Sequence, residues 1–549
     1  MTQKGYTETQ ATNLIYKGGL QVYSTQDTSM QEIADEAINN PSFYPSSTEF
    51  SINYALSVKN ADGKITNYSH STMQTWYQNV QGNYNFSLTQ TNEDTAQQYV
   101  DTYREAMTAN GETVVAESLH YVIQPQLSFS LMDQHTGYVK AIVGGRGEKT
   151  ASLTLNRATD TTRQPGSTFK VVSTYAPALN EKGMTLATTF EDEPYNYPDG
   201  SPVENASRTY GGTTTIRRAI QNSINVVAVK CLEEVTPELG LQYLDNFGFT
   251  TLAHGTEADT DANGTVWTDA NLPLALGGLT HGVTNVELCA AYAAIANQGN
   301  YIEPLYYTKI LDHNGNVLIE KTSAERSVIK ESTAWLLTSA MEDVVKNGTG
   351  TACQLDNMTV AGKTGTTDDY NDLWFVGYTP YYTCAVWSGF DNNEKLPDDY
   401  SRDFHKDMWR KVMTRIHEGL EDKDFEMPST VEKISVCADT GLLPRSGCSV
   451  ITEFFDVGDV PTDYCEEHFY EPEPVIPEYT YDETIIPEPS LTPENPDENG
   501  DQGDGNTDNG DTGGGDTGDG DTGGGDVGGG DTDGGDTGGG DAGGGEIIE

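Results

Sequence analysis

Apolar positions change period several times along the chain, and each change marks an element. "LQVYSTQD" alternates as a half-buried strand does, and "SMQEIADEAI" then repeats its apolar residues at helical spacing. From about 41 to 125 the chain is rich in Tyr, Thr, Asn and Ser, with strand-like pieces "FSINYALSVKN" and "KITNYS". This stretch reads as a small accessory module with a structural, linking role. Two alternating runs then flank "DQHTG" within "LSFSLMDQHTGYVKAIVGG", which predicts a β-hairpin.

A helical middle follows. Phe169, Val172, Tyr175, Ala176 and Leu179 share one helical face, and Gly183 closes it. "TTIRRAIQNS" and "NVVAVKCLEEV" predict two helices around a short break; "NVELCAAYAAIANQG" and "STAWLLTSAMEDVVKNG" predict two more, each closed by glycine. Strands then return as "MTVAGKTGTT", "DLWFVGYTP" and "YYTCAVWSGF", the last two joined as a hairpin at "PYY". Strands, then helices, then strands define an α+β layout: an antiparallel sheet with a helical cluster. In that sheet Trp374 and Phe375 point to opposite faces as packing residues.

The last part of the chain is different. Residues from Glu471 to Glu549 hold 23 Asp and Glu and no Lys or Arg, so 30 of the 53 net negative charges lie elsewhere. Glu471 to Pro496, with its Pro-Glu steps, reads as a stiff spacer. Past Pro496, "DTGGGDTGDGDTGGGDVGGG" is too poor in apolar residues to offset chain entropy and is expected to be disordered. Its drifting register and missing apolar position set aside a calcium-binding β-roll. The chain's 549 residues allow roughly two to four domains, which we place at 1–125 (accessory module), 126–420 (main domain), 421–470 (cysteine-containing extension) and 471–549 (spacer and tail). The acidity outside the tail excludes nucleic acid as a partner and simple adsorption to anionic lipid. No run of 18 apolar residues encodes a membrane span, and "MTQKGYTETQ" lacks a signal-peptide pattern.

Seven cysteines are present. Cys231, Cys289 and Cys384 lie in apolar runs and are expected as buried thiols, whereas Cys353 falls in a predicted loop. Cys437, Cys448 and Cys465 cluster late, ahead of His468. A disulfide in an oxidising compartment or a three-Cys, one-His zinc site both suit that composition. Ten residues separate the first two cysteines where two to four are usual, so no metal is assigned.

The candidate chemistry begins at "RQPGSTFK". Ser167 stands three residues before Lys170, which puts a hydroxyl and an amine on one helix face beside the free N–H groups of the helix start. A neutral lysine there can take the serine proton. The pair alone is weak, since "SVIK" at Ser327 to Lys330 repeats it. "SIN", Ser223 to Asn225, lies in the break between two helices; its serine can relay a proton and its asparagine can bond a peptide group. This triplet also recurs, at Ser51 to Asn53 in an ordinary strand. "GKTGTT" brings Lys363 as a fixed cation, Thr364 and Thr366 for a carboxylate, and Gly365 for close backbone approach. Order and spacing select one combination. Ser167 and Ser223 are 56 residues apart and Ser223 and Lys363 are 140 apart, while the decoys fall out of order.

Those three motifs in that order, with "GYVKAIVGGR", "NRATDTTRQPGSTFK", "LPLALGGLTHGVTNVELCAAYAAIANQG", "VAGKTGTTDDYNDLWFVGYTP" and "VCADTGLLPRSGC", resemble the transpeptidase part of class A (bifunctional) penicillin-binding proteins over roughly residues 15 to 470. The resemblance implies the penicillin-binding protein/serine β-lactamase-like fold. It also implies a D,D-transpeptidase that cross-links peptidoglycan on the cell-wall side of the bacterial membrane and is trapped by β-lactam antibiotics. Ser167 is then the nucleophile toward a stem peptide ending in D-Ala-D-Ala, with Lys170 its base. Ser223 shuttles protons, Asn225 orients the donor, and Lys363 supplies electrostatics. Thr364 and Thr366 hold the terminal carboxylate beside Gly365, and the N–H groups of Ser167 and Thr366 form the oxyanion hole. No cofactor is needed. The family's glycosyltransferase domain and membrane helix are not found in this sequence, so membrane association would come only through a missing N-terminal segment; cell-wall synthesis machinery is a further partner the resemblance implies. A carboxypeptidase or β-lactamase of the same fold is the rival enzyme, although Ile224 stands where class A β-lactamases carry Asp. An idle wall-binding scaffold is the rival outside catalysis. His281 reads as structural more readily than as a cleft residue, and Arg217 and Arg218 as partners of an acidic surface.

Overall fold

The computed structural model describes residues 5–45, 49–147, 149 and 153–468. The expectations for a stiff spacer and a disordered tail lie outside the described residues.

Five strands form the central sheet, in the spatial order Ala361–Thr366, Asp372–Tyr378, Thr383–Gly389, Gln126–Asp133 and Tyr138–Val143, and every neighbouring pair is antiparallel. The two middle strands bury every residue, as near-continuous apolar runs require when both sheet faces are covered. One face packs on the larger helical cluster, to which Trp374 and Val376 belong; Phe375 points the other way, into the core under the helix Phe404–Ile416. The predicted opposition of Trp374 and Phe375 thus separates the two cores. The helix Asn285–Ala296 is buried almost all round, and its Cys289 thiol sits 3.5 Å from the Thr383 carbonyl. Cys231, Cys289 and Cys384 are all buried; Cys353 departs from the loop expectation and is buried too, in a short 3-10 turn.

The outer edge of Tyr138–Val143 is covered by the helix Thr28–Ile38. Its Gln31 side chain accepts from Ile142 N and donates to Ile142 O, at 2.9 and 3.0 Å, satisfying backbone groups that an open edge would leave bare. The accessory region has a core of its own. Glu49–Lys59 pairs antiparallel with Thr113–Gln124, and Ile52, Tyr54, Leu56 and Val58 pack with Val100 and Tyr103 of the helix Glu93–Met107. It meets the main sheet through a polar joint: Gln124 Nε2 donates to Asp391 Oδ2 at 2.9 Å, and Arg157 grips the same carboxylate with Nε and Nη2, both at 2.6 Å.

Beyond the main sheet, Val431–Cys437 and Val450–Asp456 form an antiparallel hairpin. Its Glu453 is 3 % exposed and receives Arg217 Nε at 2.6 Å, while Arg217 Nη1 reaches Asp343 Oδ2 at 2.7 Å. Arg217 was expected to meet an acidic surface; instead it is largely buried and ties the hairpin to the helix Ile216–Asn222. Arg218, one residue on, stays exposed.

Candidate active site

The predicted helix after Ser167 arrives in three pieces. Gly166–Thr168 is a 3-10 turn, Lys170–Tyr175 winds as a π-helix, and Ala176–Glu181 is α-helical. Such departures from α-geometry recur at functional sites because they re-aim side chains. The first turn lies tightly against the edge strand Ala361–Thr366. Gly166 has φ +55°, and a Cβ on it would lie 2.8 Å from the Thr366 carbonyl; a Cβ on Gly365 would lie 2.5 Å from the Pro165 carbonyl. Only two glycines let turn and strand come this close. The turn is further fixed from below, where Tyr292 Oη donates to Thr168 O at 2.7 Å and Trp374 Nε1 donates to Gln164 O at 2.9 Å.

Ser167 is half-buried on this turn, and its hydroxyl has no hydrogen-bond partner among the described residues. Lys170 is fully buried. Its Nζ donates to Ser223 O at 2.7 Å, to Asn225 Oδ1 at 2.5 Å and to Ser223 Oγ at 3.3 Å. Lys363, buried as well, donates to Ser223 Oγ at 2.8 Å from the other side. Two lysines therefore converge on one serine hydroxyl. Burial drives the Lys170 pKa well below that of an ordinary lysine, and the neighbouring Lys363 lowers it further. Burial brings Lys363 down to about 7.

Ser223 ends the helix Ile216–Asn222 in left-handed geometry, φ +56°, a conformation that costs a non-glycine residue about 1–2 kcal/mol. The next helix, Asn225–Val235, has no side-chain cap from its own Ile224. Asn205 supplies one from a distant loop, its Oδ1 accepting from Asn225 N at 2.9 Å and Val226 N at 3.2 Å. Asp192 in turn holds Asn205 Nδ2 at 2.7 Å. Asn205 belongs to the site, and sequence reasoning missed it because "VENAS" carries no spacing signal. Thr349 was missed likewise; its hydroxyl lies 2.7 Å from Thr364 Oγ1.

The eight candidate residues come together, but not all are free. The Asn225 amide is engaged at both ends, since Nδ2 donates to Glu204 O at 2.6 Å. Thr364 is half-buried and bonded to Thr349, and Thr366 is exposed. Lys363 and Gly365 pair across the strands with Val376 and Trp374, and so share the face turned to the helical cluster. A concavity of ≈ 370 Å³ adjoins Ser223, walled by Asn205, Tyr210, Arg218 and Asn222. His281 is exposed. The decoy Lys330 caps the helix Glu331–Asn347 outside the site, and the decoy Ser51 lies in the accessory sheet.

A serine three residues ahead of a buried lysine, a second serine hydroxyl between two buried lysines and a flanking edge strand suit the serine acyl-transfer class. Residues 127–414, more than half of the chain, match the penicillin binding protein transpeptidase domain, and the chain belongs to that family. Residues 427–470 match the C-terminal domain of penicillin-binding protein 1A. A penicillin-binding protein 1A from Clostridium botulinum is 30% identical over 485 residues, 85% of this chain and 48% of the relative. The chain spans about half the length of the curated relatives it matches. Penicillin-binding protein 1A from Haemophilus influenzae shares the fold with TM-score 0.59 at 19% identity, over 84% of this chain and 76% of that one. The PonA1 protein from Mycobacterium tuberculosis, solved in complex with penicillin V, aligns with TM-score 0.54 at 20% identity, over 76% and 91%. No helix among the described residues is long and apolar enough to cross a membrane.

Proposed function

We propose that the chain is a D,D-transpeptidase of peptidoglycan, acting outside the cytoplasm through a Ser167 acyl-enzyme that β-lactams also form. The observation that carries this is the single hydrogen-bonded network of Lys170, Ser223, Asn225 and Lys363 beside an unpartnered Ser167 hydroxyl. Residues 126–420 carry the chemistry, 1–125 form the accessory module, 421–470 buttress it, and 471–549 serve as spacer and tail.

Ser167 Oγ attacks the penultimate D-Ala carbonyl of a stem peptide, and its proton passes to the lone pair of Lys170 Nζ, which as a neutral amine keeps its two short bonds, to Ser223 O and Asn225 Oδ1, and gives up the long one to Ser223 Oγ. The oxyanion forms against the N–H groups of Ser167 and Thr366. The C–N bond breaks as the leaving D-alanine amine takes a proton relayed through Ser223 Oγ. An amine of a neighbouring stem then attacks the ester, forming the cross-link and returning the proton to Ser167. Protonated Lys363 stabilises Ser223 through the first step, and Thr364 and Thr366 receive the terminal carboxylate. Asn225 orients the donor after giving up its bond to Glu204 O.

Labelling with a fluorescent penicillin tests the reading. The chain is expected to form a stoichiometric adduct that releases slowly, and Ser167→Ala none. Equal labelling of both proteins would defeat the nucleophile assignment. Rapid turnover of a chromogenic cephalosporin would favour a β-lactamase, and the absence of any adduct an idle scaffold.

A further inference from the structure

The sequence offers no metal ligand set at ordinary spacing, because ten residues part Cys437 from Cys448. The fold removes that obstacle. Cys437 ends one strand of the C-terminal hairpin and pairs with Val450, so Cys448, two residues before Val450, returns to the same end. Cys465 is brought there by two backbone bonds: Leu443 N donates to Asp463 O at 2.9 Å, and Cys465 N to Leu443 O at 2.8 Å. His468 follows within one turn. The four ligand atoms, three Sγ and one imidazole nitrogen, all lie within 4.8 Å of one another.

We propose that Cys437, Cys448, Cys465 and His468 Nδ1 hold a structural zinc ion that clasps the segment after the hairpin to the end of the hairpin where its two strands are connected. Four soft and borderline donors suit tetrahedral zinc in a closed, non-catalytic site. Bonds of about 2.3 Å to sulfur and about 2.0–2.1 Å to nitrogen put sulfur and nitrogen roughly 3.5 Å apart. His468 Nδ1 lies 3.5 Å from Cys437 Sγ and 3.3 Å from Cys465 Sγ. The other ring nitrogen, Nε2, lies 3.4 Å from Asp439 Oδ2, the carboxylate partner that orients a ligating imidazole and fixes its tautomer. The backbone N–H of Arg445 points at Cys448 Sγ, 3.3 Å away, as suits a thiolate. Cys437 and Cys465 are fully buried, which shields their metal bonds from water. A disulfide uses two of these thiols and leaves the third against the imidazole with nothing to bind; zinc uses all four groups. Binding releases the thiol protons to solvent and involves no change of oxidation state.

The test uses the full chain, purified without chelator or reductant and then desalted. About one zinc per chain is expected by plasma mass spectrometry. Replacement by cobalt(II) is expected to give the intense visible absorption and thiolate charge-transfer band of a tetrahedral thiolate site. Cys448→Ser is expected to lose both, and Cys289→Ser, altering a distant buried thiol, to keep both. Asp439→Asn removes no ligand and is expected to weaken zinc about 10- to 100-fold. A metal-free chain, a disulfide between any two of the three cysteines in peptide mapping, or zinc binding indifferent to Cys448→Ser and Asp439→Asn would overturn the proposal.

Discussion

Replacing Lys363 by Met should abolish acylation and give a stability difference from the wild type that changes with pH. Burial lowers this lysine from 10.5 to about 7, and at about 1.4 kcal/mol per pKa unit the buried cation costs about 5 kcal/mol below pH 7. Methionine fills similar volume without that cost. It also gives up two charge-assisted hydrogen bonds, to Ser223 Oγ at 2.8 Å and Thr364 O at 3.2 Å, each contributing about 1.5–3 kcal/mol when charged. The two effects nearly cancel at low pH, and the more telling quantity is how the difference changes with pH. Because the folded pKa lies below the unfolded one, the unfolded chain binds the extra proton between pH 7 and 10.5. Wild-type stability contributed by this group must rise with pH across that window.

Urea unfolding of both proteins at intervals from pH 6 to 10 measures this. The stability difference should move in favour of the wild type by about 1.4 kcal/mol per pH unit above pH 7, and the variant should fail to label with penicillin throughout. A difference that stays constant with pH would mean that the Lys363 amine titrates as an ordinary lysine, and the electrostatic account of the site would fall with it.

Lys170→Met should slow acylation by about 10²–10⁴-fold, the usual contribution of a positioned base, with Ser167 still present; stopped-flow or gel-based labelling rates would show it. Glu453→Ala should destabilise the chain by about 3–5 kcal/mol, since it leaves Arg217 buried with only Asp343 opposite; the measurement is a denaturation midpoint. Gly365→Val should remove acylation and leave the circular dichroism of the helices in place, because its first new carbon would lie 2.5 Å from the Pro165 carbonyl, at the turn carrying Ser167.

Much of this site was legible before the fold. Motif order singled out Ser167, Ser223 and Lys363, and alternating apolar runs placed the strands of the main sheet. The unreadable parts depend on contacts distant in sequence. Helical periodicity in Phe169 to Leu179 does not distinguish a 3-10 turn followed by a π-helix from an α-helix, because the same apolar face is buried in each. Arg217 looked like a surface cation since Glu453 lies 236 residues away. Asn205 caps a helix it does not belong to, and no local pattern announces such a cap. The late cysteines show a related limit: the ten residues between Cys437 and Cys448 say little about their separation in space, because the hairpin returns both to one end.

These distant contacts explain how Ser223 can hold a left-handed backbone between two short helices. The strain of about 1–2 kcal/mol falls on a residue whose carbonyl and hydroxyl must both face Lys170. A regular continuation of the first helix would turn that carbonyl along the helix axis, toward a backbone N–H, and away from the amine. The break is sustained from both flanks. Arg217, bound to Asp343 and Glu453, fixes the helix before it, and Asn205, held by Asp192, caps the helix after it. The C-terminal hairpin thereby bears on Ser223 without touching it, through Glu453, Arg217 and the helix Ile216–Asn222. Loosening the hairpin should be felt at Ser223 before it is felt at Ser167, whose turn is secured separately by Tyr292, Trp374 and the edge strand.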